Sequence, residues 1–291
     1  MIPGAFTYYA AETVPEAVTL LHEHPDDAKV LAGGQSLIPL MRLRLAEPQY
    51  IVDINRIANL AGVTLQGDTL VIGALTREVD LERDPLFRRH FPILVETTEV
   101  IADPLVRNLA TVGGNLTHAD PANDHPATML VLGAEVVAQG PNGERVVPID
   151  DLFVDTFMTA LEPDELLTAI RVPLPLPRTG GAYVKFERKV GDYAIAATAA
   201  RVTLNEDGTI GEARIALTNA FYKPMRAMGA EAALRGREPT EAVIREAAAA
   251  ASAEAEPGAD LRGPVEYKRA MVRTMTTRAV QRAVERARAA S

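Results

Sequence analysis

Two glycine pairs constrain this chain more than any other feature. Gly33-Gly34 stands in Leu31-Ala32-Gly33-Gly34-Gln35-Ser36-Leu37-Ile38-Pro39, and Gly113-Gly114 in Ala110-Thr111-Val112-Gly113-Gly114-Asn115-Leu116. Both follow one grammar: apolar residues, two glycines, then an amide side chain. A strand feeding such a turn exposes main-chain N–H groups with no side chain over them, so an anion or a ring edge can approach the backbone closely. Taken singly, each pair reads equally as a tight turn in an ordinary loop. Taken together, with Ser36 and Thr111 as hydroxyl donors and Gln35 and Asn115 as amide donors, they read as two walls around one elongated anionic ligand. Neither a G-x-G-x-x-G fingerprint nor a P-loop is present, so the pairs do not announce a Rossmann fold.

The sequence has no cysteine. It therefore has no disulfide, no thiolate nucleophile and no cysteine-ligated iron–sulfur cluster of its own. Redox chemistry would need an organic cofactor, with any cluster carried by a partner. A net charge of −9 argues against a general nucleic-acid-binding role. No apolar stretch reaches the ~20 residues that cross a bilayer. Met1–Phe6 shows no basic region followed by an apolar run. A cytosolic chain, or a soluble part of a larger complex, is expected. The 291 residues leave room for two or three domains.

Local signals outline the elements. Thr13-Val14-Pro15-Glu16 opens an amphipathic helix through Ala17, Leu20 and Leu21. Lys29–Ala32 reads as a short strand, Ser36 as the cap of a helix from Leu37 to Leu45, and Tyr50–Ile54 as a second strand. Val63–Leu65 and Thr69–Gly73 flank a Gly67-Asp68 turn. Thr76 is read as a cap for a helix through Val79 and Leu81, and Pro92–Ile101 as a longer helix. Ala127–Leu132 reads as a short helix, and Ala134–Ala138 with Arg145–Ile149 as a hairpin. Glu165–Val172 is strand-like. Pro173–Gly181, with three prolines at alternate positions, is the linker and marks the domain boundary. Strands are expected at Ala182–Lys189, Ala194–Leu204 and Thr209–Asn219. Helices are expected at Met225–Leu234, Thr240–Ala253 and Val265–Ala290.

Three further segments could carry chemistry. His118-Ala119-Asp120-Pro121-Ala122-Asn123-Asp124-His125 places two imidazoles and two carboxylates within eight residues. They could serve a metal-dependent hydrolase or form a polar loop with Asx turns. A carboxylate accepting from a ligand hydroxyl is the preferred reading, with Asp124 as that group. Lys185–Ala194 reads either as strand, turn and strand, or as a place where Tyr193 faces a flat redox ring and Lys185 its electron-rich edge. The last helix carries Lys268, Arg269, Arg273, Arg278, Arg282, Arg286 and Arg288, with Met271, Met275, Ala279 and Val280 on its apolar side. That basic face is either solvated or meets an acidic partner.

The chain resembles the medium, FAD-binding subunits of the molybdenum hydroxylases, and among them the carbon monoxide dehydrogenase flavoproteins. The resemblance runs from Met1-Ile2-Pro3-Gly4 to the last helix. It rests on Ala32–Pro39, Ile101-Ala102-Asp103-Pro104, Arg107-Asn108, Thr111–Asn115, Asp120–Asp124, Leu166–Ile170 and Arg188–Ala194. It implies an α+β fold. A two-lobed, vanillyl-alcohol-oxidase-like FAD-binding domain spans 1–177, with lobes of about 1–56 and 57–177. A C-terminal domain of antiparallel sheet plus helices spans 178–291. It also implies non-covalent FAD. Leu31, Ala32, Gly33, Gly34, Gln35, Ser36, Leu37 and Ile38, with Thr111, Gly113, Gly114 and Asn115, would hold the diphosphate and its neighbours. Ile101 and Ala102 would lie along the cofactor, and Asp124 would bond one of its hydroxyls. The main chain at Leu167, with Lys185 and Tyr193, would lie toward the isoalloxazine. Some relatives have His where this chain has Gln35; both can donate a hydrogen bond.

The implied role is electron relay without a catalytic acid, base or nucleophile, and without a metal site, on this chain. A large subunit would hold the molybdenum cofactor and a small subunit the 2Fe–2S clusters, in a dimer of heterotrimers. An external acceptor such as a quinone would take the electrons. The complex would be cytoplasmic or peripheral at the inner face of the membrane, with no nucleic acid and no membrane span. The alternatives are the hydrolase using His118, Asp120, Asp124 and His125, a non-catalytic assembly subunit, a standalone FAD oxidase, or the medium subunit of a hydroxylase acting on an aldehyde, purine or N-heterocycle.

Overall fold

Parallel neighbours in a sheet need a crossover between them, and the first fifty residues supply two. A computed structural model describes residues 2–290. It begins with β1 (Thr7–Ala10), α1 (Val14–Glu23), β2 (Ala28–Leu31), α2 (Leu37–Arg42) and β3 (Tyr50–Asp53). The three strands form a parallel sheet in the order β1-β3-β2. The Thr13 hydroxyl accepts from Glu16 N–H at 3.3 Å and caps α1, as its sequence predicts. Strand β1 has no counterpart among the sequence expectations. It lies at the sheet edge with Thr7 and Tyr8 exposed, so it lacks the buried alternation that marks a strand. The Tyr8 hydroxyl ties it to Asp53 at 2.6 Å.

The next stretch holds β4 (Val63–Gln66), β5 (Thr69–Gly73), α3 (Glu78–Arg83), α4 (Pro85–His90), α5 (Pro92–Glu99), α6 (Pro104–Arg107), α7 (Val112–His118) and α8 (Asp124–Leu132). It continues with β6 (Glu135–Gly140), β7 (Gly143–Pro148), α9 (Ile149–Leu152), β8 (Phe153–Asp155), β9 (Met158–Thr159) and β10 (Leu166–Pro173). An antiparallel sheet runs β4-β5-β10-β6-β7, and β8 pairs with β9. Helix α8 is buried along its whole length, against Phe87, Leu94, Leu116 and Ile170 of one core.

A third sheet, β11-β12-β13-β14, is antiparallel: β11 (Thr179–Glu187), β12 (Ala194–Leu204), β13 (Ile210–Thr218) and β14 (Met225–Arg226). Helices α10 (Met228–Leu234), α11 (Glu241–Glu254) and α12 (Val265–Ala289) follow. Side chains of β12 alternate between two cores, as the strand period requires. Ala197 and Ala199 join the α8 core, while Ala196, Ala200 and Val202 join the α12 core. The two parts of the chain are also clamped at Glu96 on α5. Its carboxylate accepts from Arg286, lies 3.6 Å from Arg282, and accepts from Tyr183 N–H at 3.3 Å.

Several expectations change here. Ser36 does not cap α2: Ile38 N–H already bonds Gly34 C=O, so the turn starts earlier and Ser36 has helical backbone with no capping bond. Helix α2 stops at Arg42 rather than Leu45 because Arg44 takes φ +56°. Thr76 is not a cap; its hydroxyl donates to Gly62 C=O at 3.0 Å and accepts from Gly62 N–H at 3.1 Å, and α3 starts after Arg77. Met225–Arg226 is a short strand, so the helix expected there begins at Met228. Thr179-Gly180-Gly181 belongs to β11, which leaves Leu174–Arg178 as the extended connection. Lys268 is not on a solvated face. It is 1% exposed and donates to Asp260 at 2.9 Å.

Close packing of α12 on β11 depends on one missing side chain. A Cβ at Gly180 would lie 2.2 Å from Ala283 O and 2.4 Å from Ala287 N, both backbone atoms. Gly180→Ala is therefore expected to destabilise the chain by about 1–3 kcal/mol, the usual range for overpacking, read as a lower urea midpoint at unchanged slope.

Candidate functional site

The first glycine bend leaves β2 at Leu31. Gly34 takes φ +71°, a left-handed conformation that favours glycine. Through this bend the main-chain N–H groups of Gly33, Gly34, Gln35 and Ser36 form no hydrogen bond among the described residues, and all four residues are half-buried. The Gln35 side chain folds back and donates to Gly33 C=O at 3.1 Å. A run of unpaired amides in a concave turn is an anion cradle.

The second bend is stitched along the segment after β5. Val112 N–H donates to Thr76 C=O at 3.1 Å and Gly113 N–H to Ala74 C=O at 3.0 Å. A Cβ at Gly113 would meet Ala74 O at 2.7 Å. The Thr111 hydroxyl caps α7 and accepts from Gly114 N–H at 3.2 Å. Asn115 Oδ1 is buried with no partner in the structure, so it is an acceptor in need of a donor.

The two bends lie against each other. A Cβ on Gly33 would sit 2.3 Å from Leu109 O and 2.9 Å from Ala110 Cα. Two side chains reinforce the contact: Asn55 Nδ2 donates to Ala32 C=O at 2.8 Å, Arg77 Nη2 donates to Asn55 Oδ1 at 2.8 Å, and Arg77 Nη1 donates to Leu109 C=O. Neither Asn55 nor Arg77 stands out in the sequence. Each acts over more than twenty residues, and no local pattern signals that.

The site continues toward the C-terminal sheet. Ala102 takes φ +45°, and Gly191 packs on it: a Cβ on Gly191 would lie 2.5 Å from Ala102 O. Lys185, buried on β11, donates to Val100 C=O at 2.9 Å and to Asp124 at 3.0 Å, and lies 3.4 Å from Glu187. Asp124 also accepts from the Tyr183 hydroxyl at 2.6 Å. Burial raises the Asp124 carboxyl above its ordinary value and outweighs the opposing pull of Lys185. Burial, then Asp124, pushes the Tyr183 phenol well up. Leu167 sits where β10 shifts register against β6, and the next carbonyl, Thr168 C=O, accepts from Ala74 N–H. Tyr193 is 46% exposed, with the Arg262 guanidinium 5.8 Å from its ring centre and Arg262 bonded to Asp192 at 2.8 Å. Contacts thus link the 31–38 and 109–115 bends to each other, and Lys185 with Val100 and Asp124 beside the Gly191–Ala102 contact in a second cluster, with Tyr193 two residues beyond Gly191.

The hydrolase reading does not survive this geometry. His125 is fully buried and pairs with Glu78 at 2.5 Å. Asp124 is engaged by Tyr183 and Lys185, and the Asp120 carboxylate accepts from Ala122 N–H at 2.9 Å. Among the described residues no three His, Cys, Asp or Glu side chains form a metal-holding group.

Residues 4–175 match the family described as the FAD binding domain in molybdopterin dehydrogenase. The chain belongs to this FAD-binding family. Residues 181–283 match the CO dehydrogenase flavoprotein C-terminal domain. The carbon monoxide dehydrogenase medium chain of Hydrogenophaga pseudoflava is 46% identical over 97% of this chain and 98% of its own. That of Afipia carboxidovorans is 43% identical over 99% and 100%. A solved structure of the H. pseudoflava enzyme, lacking the Mo-pyranopterin moiety of its molybdenum cofactor, aligns with a TM-score of 0.96 at 48% identity, covering 98% of this chain and 99% of that chain. This is an FAD-binding oxidoreductase subunit, and its residues fit the cofactor. The unpaired amides of the first bend suit a diphosphate, and the orphaned Asn115 carbonyl suits a donor of the nucleotide.

Two outcomes follow. Gly33→Ala should push the bends apart and lower FAD affinity at least tenfold, about 1.4 kcal/mol, while Gly258→Ala, with open space around it, should leave flavin content unchanged. A flavin titration of both variants checks this. Burial also holds the His118 imidazole below its ordinary 6.5. Below that pH the unfolded chain binds a proton that the fold resists, so stability falls as pH drops from 6.5 toward the lower folded value. His118→Gln should flatten that part of the stability–pH curve, measured by denaturant unfolding.

Proposed function

We propose that this chain is the flavoprotein subunit of an aerobic carbon monoxide dehydrogenase. It receives electrons from 2Fe–2S clusters on a small partner subunit and passes them to an external acceptor. The observation that carries this reading is the contact between the two glycine bends, with four unpaired amides lining the first. The full-length likeness to two carbon monoxide dehydrogenase medium chains supports the substrate of the complex. The partners are a large molybdenum-cofactor subunit and the small subunit, as a dimer of heterotrimers. The acceptor is a quinone, which puts the assembly at the inner face of the membrane.

Bound flavin supplies the ability to take electrons singly and release them singly or in pairs. The chain's own residues bind and orient it. Amides of Gly33, Gly34, Gln35 and Ser36 hold the diphosphate, with Leu31, Ala32, Leu37 and Ile38 shaping that wall. Thr111, Gly113, Gly114 and Asn115 form the facing wall. Ile101 and Ala102 lie along the cofactor. Asp124, already held by Tyr183 and Lys185, accepts one further hydroxyl. Leu167 offers main chain to the ring end, Tyr193 covers the ring, and Lys185 places positive charge near it. We take the boundary between the FAD-binding and C-terminal domains at 177/178.

Large aliphatic side chains close in the chain to this second cluster are exposed. Leu105 is 77%, Val190 92% and Leu261 101% exposed, and they flank Ala102, Gly191 and Arg262. Exposed aliphatic groups beside the ring end suit the small subunit's docking face. Coexpression with the large and small subunits should give a complex that reduces a dye with carbon monoxide. A complex that takes electrons only from an aldehyde or N-heterocycle would contradict the substrate. The double variant Val190→Glu, Leu261→Glu should lower copurification of the small subunit at least tenfold; unchanged copurification would move the docking face elsewhere.

A further inference from the structure

Three consecutive carbonyls, those of Val100, Ile101 and Ala102, are held by side chains from two elements, β11 and α6. Val100 C=O accepts from Lys185 on β11 at 2.9 Å. Ile101 C=O accepts from Arg107 Nη1 at 2.9 Å, and the same nitrogen lies 3.5 Å from Ala102 C=O. Ala102 C=O is also the surface on which Gly191 rests. Between these contacts Ala102 holds φ +45°. An alanine in that conformation is strained relative to glycine and needs its surroundings to keep it there.

Arg107 is the group placed to do so. It is 9% exposed, on α6, one turn after the strained residue. Asp103 fixes the intervening turn by accepting from Leu105 N–H and Val106 N–H at 2.8 and 3.0 Å. Glu82 on α3 orients the guanidinium by accepting from Arg107 Nε at 3.2 Å. A planar guanidinium with one edge on Glu82 and another on two successive carbonyls keeps those carbonyls turned inward. Without it, Ala102 can relax toward negative φ, which swings its carbonyl away from Gly191.

We propose that Arg107 is a positioning residue for the flavin. It holds the left-handed turn at Ala102 and thereby the wall that Val100–Ala102 forms with the Gly191 turn. This rests on the placement of Ile101 and Ala102 along the cofactor. It differs from a general packing role in one respect: glycine at 102 should make Arg107 largely dispensable, because glycine adopts positive φ without help.

The test is a double-mutant cycle on the full chain. The readouts are the FAD dissociation constant and hydrogen exchange over 100–103 and 189–193. Arg107→Met should weaken FAD binding at least tenfold and speed exchange in both segments. Arg107→Lys, which keeps a cation beside Glu82, should fall between Met and wild type and guards against a folding failure. In the Ala102→Gly background, Arg107→Met should weaken binding less than threefold and leave exchange close to that of Ala102→Gly alone. Equal losses in the two backgrounds, or unchanged exchange in Arg107→Met, would overturn the clamp itself. Faster exchange that glycine rescues, with FAD affinity untouched, would instead overturn the placement of Ile101 and Ala102 along the flavin, and the positioning role with it.

Discussion

The bare backbone of Gly33 pressed on the carbonyl of Leu109 is the contact on which the rest of the site depends. It brings together two turns, one leaving the parallel strand β2 and one joining α6 to α7. No side chain fits between them, so the two turns can share one ligand. Asn55 and Arg77 then lock the pair from behind by bonding the carbonyls on either side of it. The amides of the first turn stay unpaired, which would be costly for a half-buried backbone unless an acceptor arrives. The chain belongs to an FAD-binding family, and the diphosphate of that cofactor is the acceptor we propose for them.

The second wall is built by charge rather than by missing side chains. Lys185, on β11, reaches across to Val100 C=O and Asp124. A buried ammonium is stable only with such partners, so the cation fixes β11 to the segment at Val100 and to the start of α8. Tyr183 on the same strand reaches the other Asp124 oxygen. The Glu96 clamp on Arg286 joins α5 to α12 at a second point.

Much of this was legible in the sequence because it depends on short-range rules. The glycine pairs, the Thr13 cap and the long strands β11 to β13 follow from local spacing and residue type. What sequence reading missed depends on contacts at long range. Strand β1 is invisible because its edge position removes the buried alternation. Ser36 fails as a cap because the helical turn has already begun at Gly34, and Thr76 fails because Gly62 claims its hydroxyl. Lys268 looks like one more cation on a basic helix, yet the Asp260 loop folds over it. Within the site, the glycines were readable, while Asn55, Arg77 and Arg107 were not read as parts of it, since an arginine bonding a distant carbonyl leaves no periodic trace.

The most direct test of the central claim is a crystal structure of the protein with FAD bound. The diphosphate is expected within hydrogen-bonding distance of the amides of Gly33 to Ser36, with the facing turn at Thr111 to Asn115 on its other side. A diphosphate bound away from both turns, with those amides facing water, would contradict it.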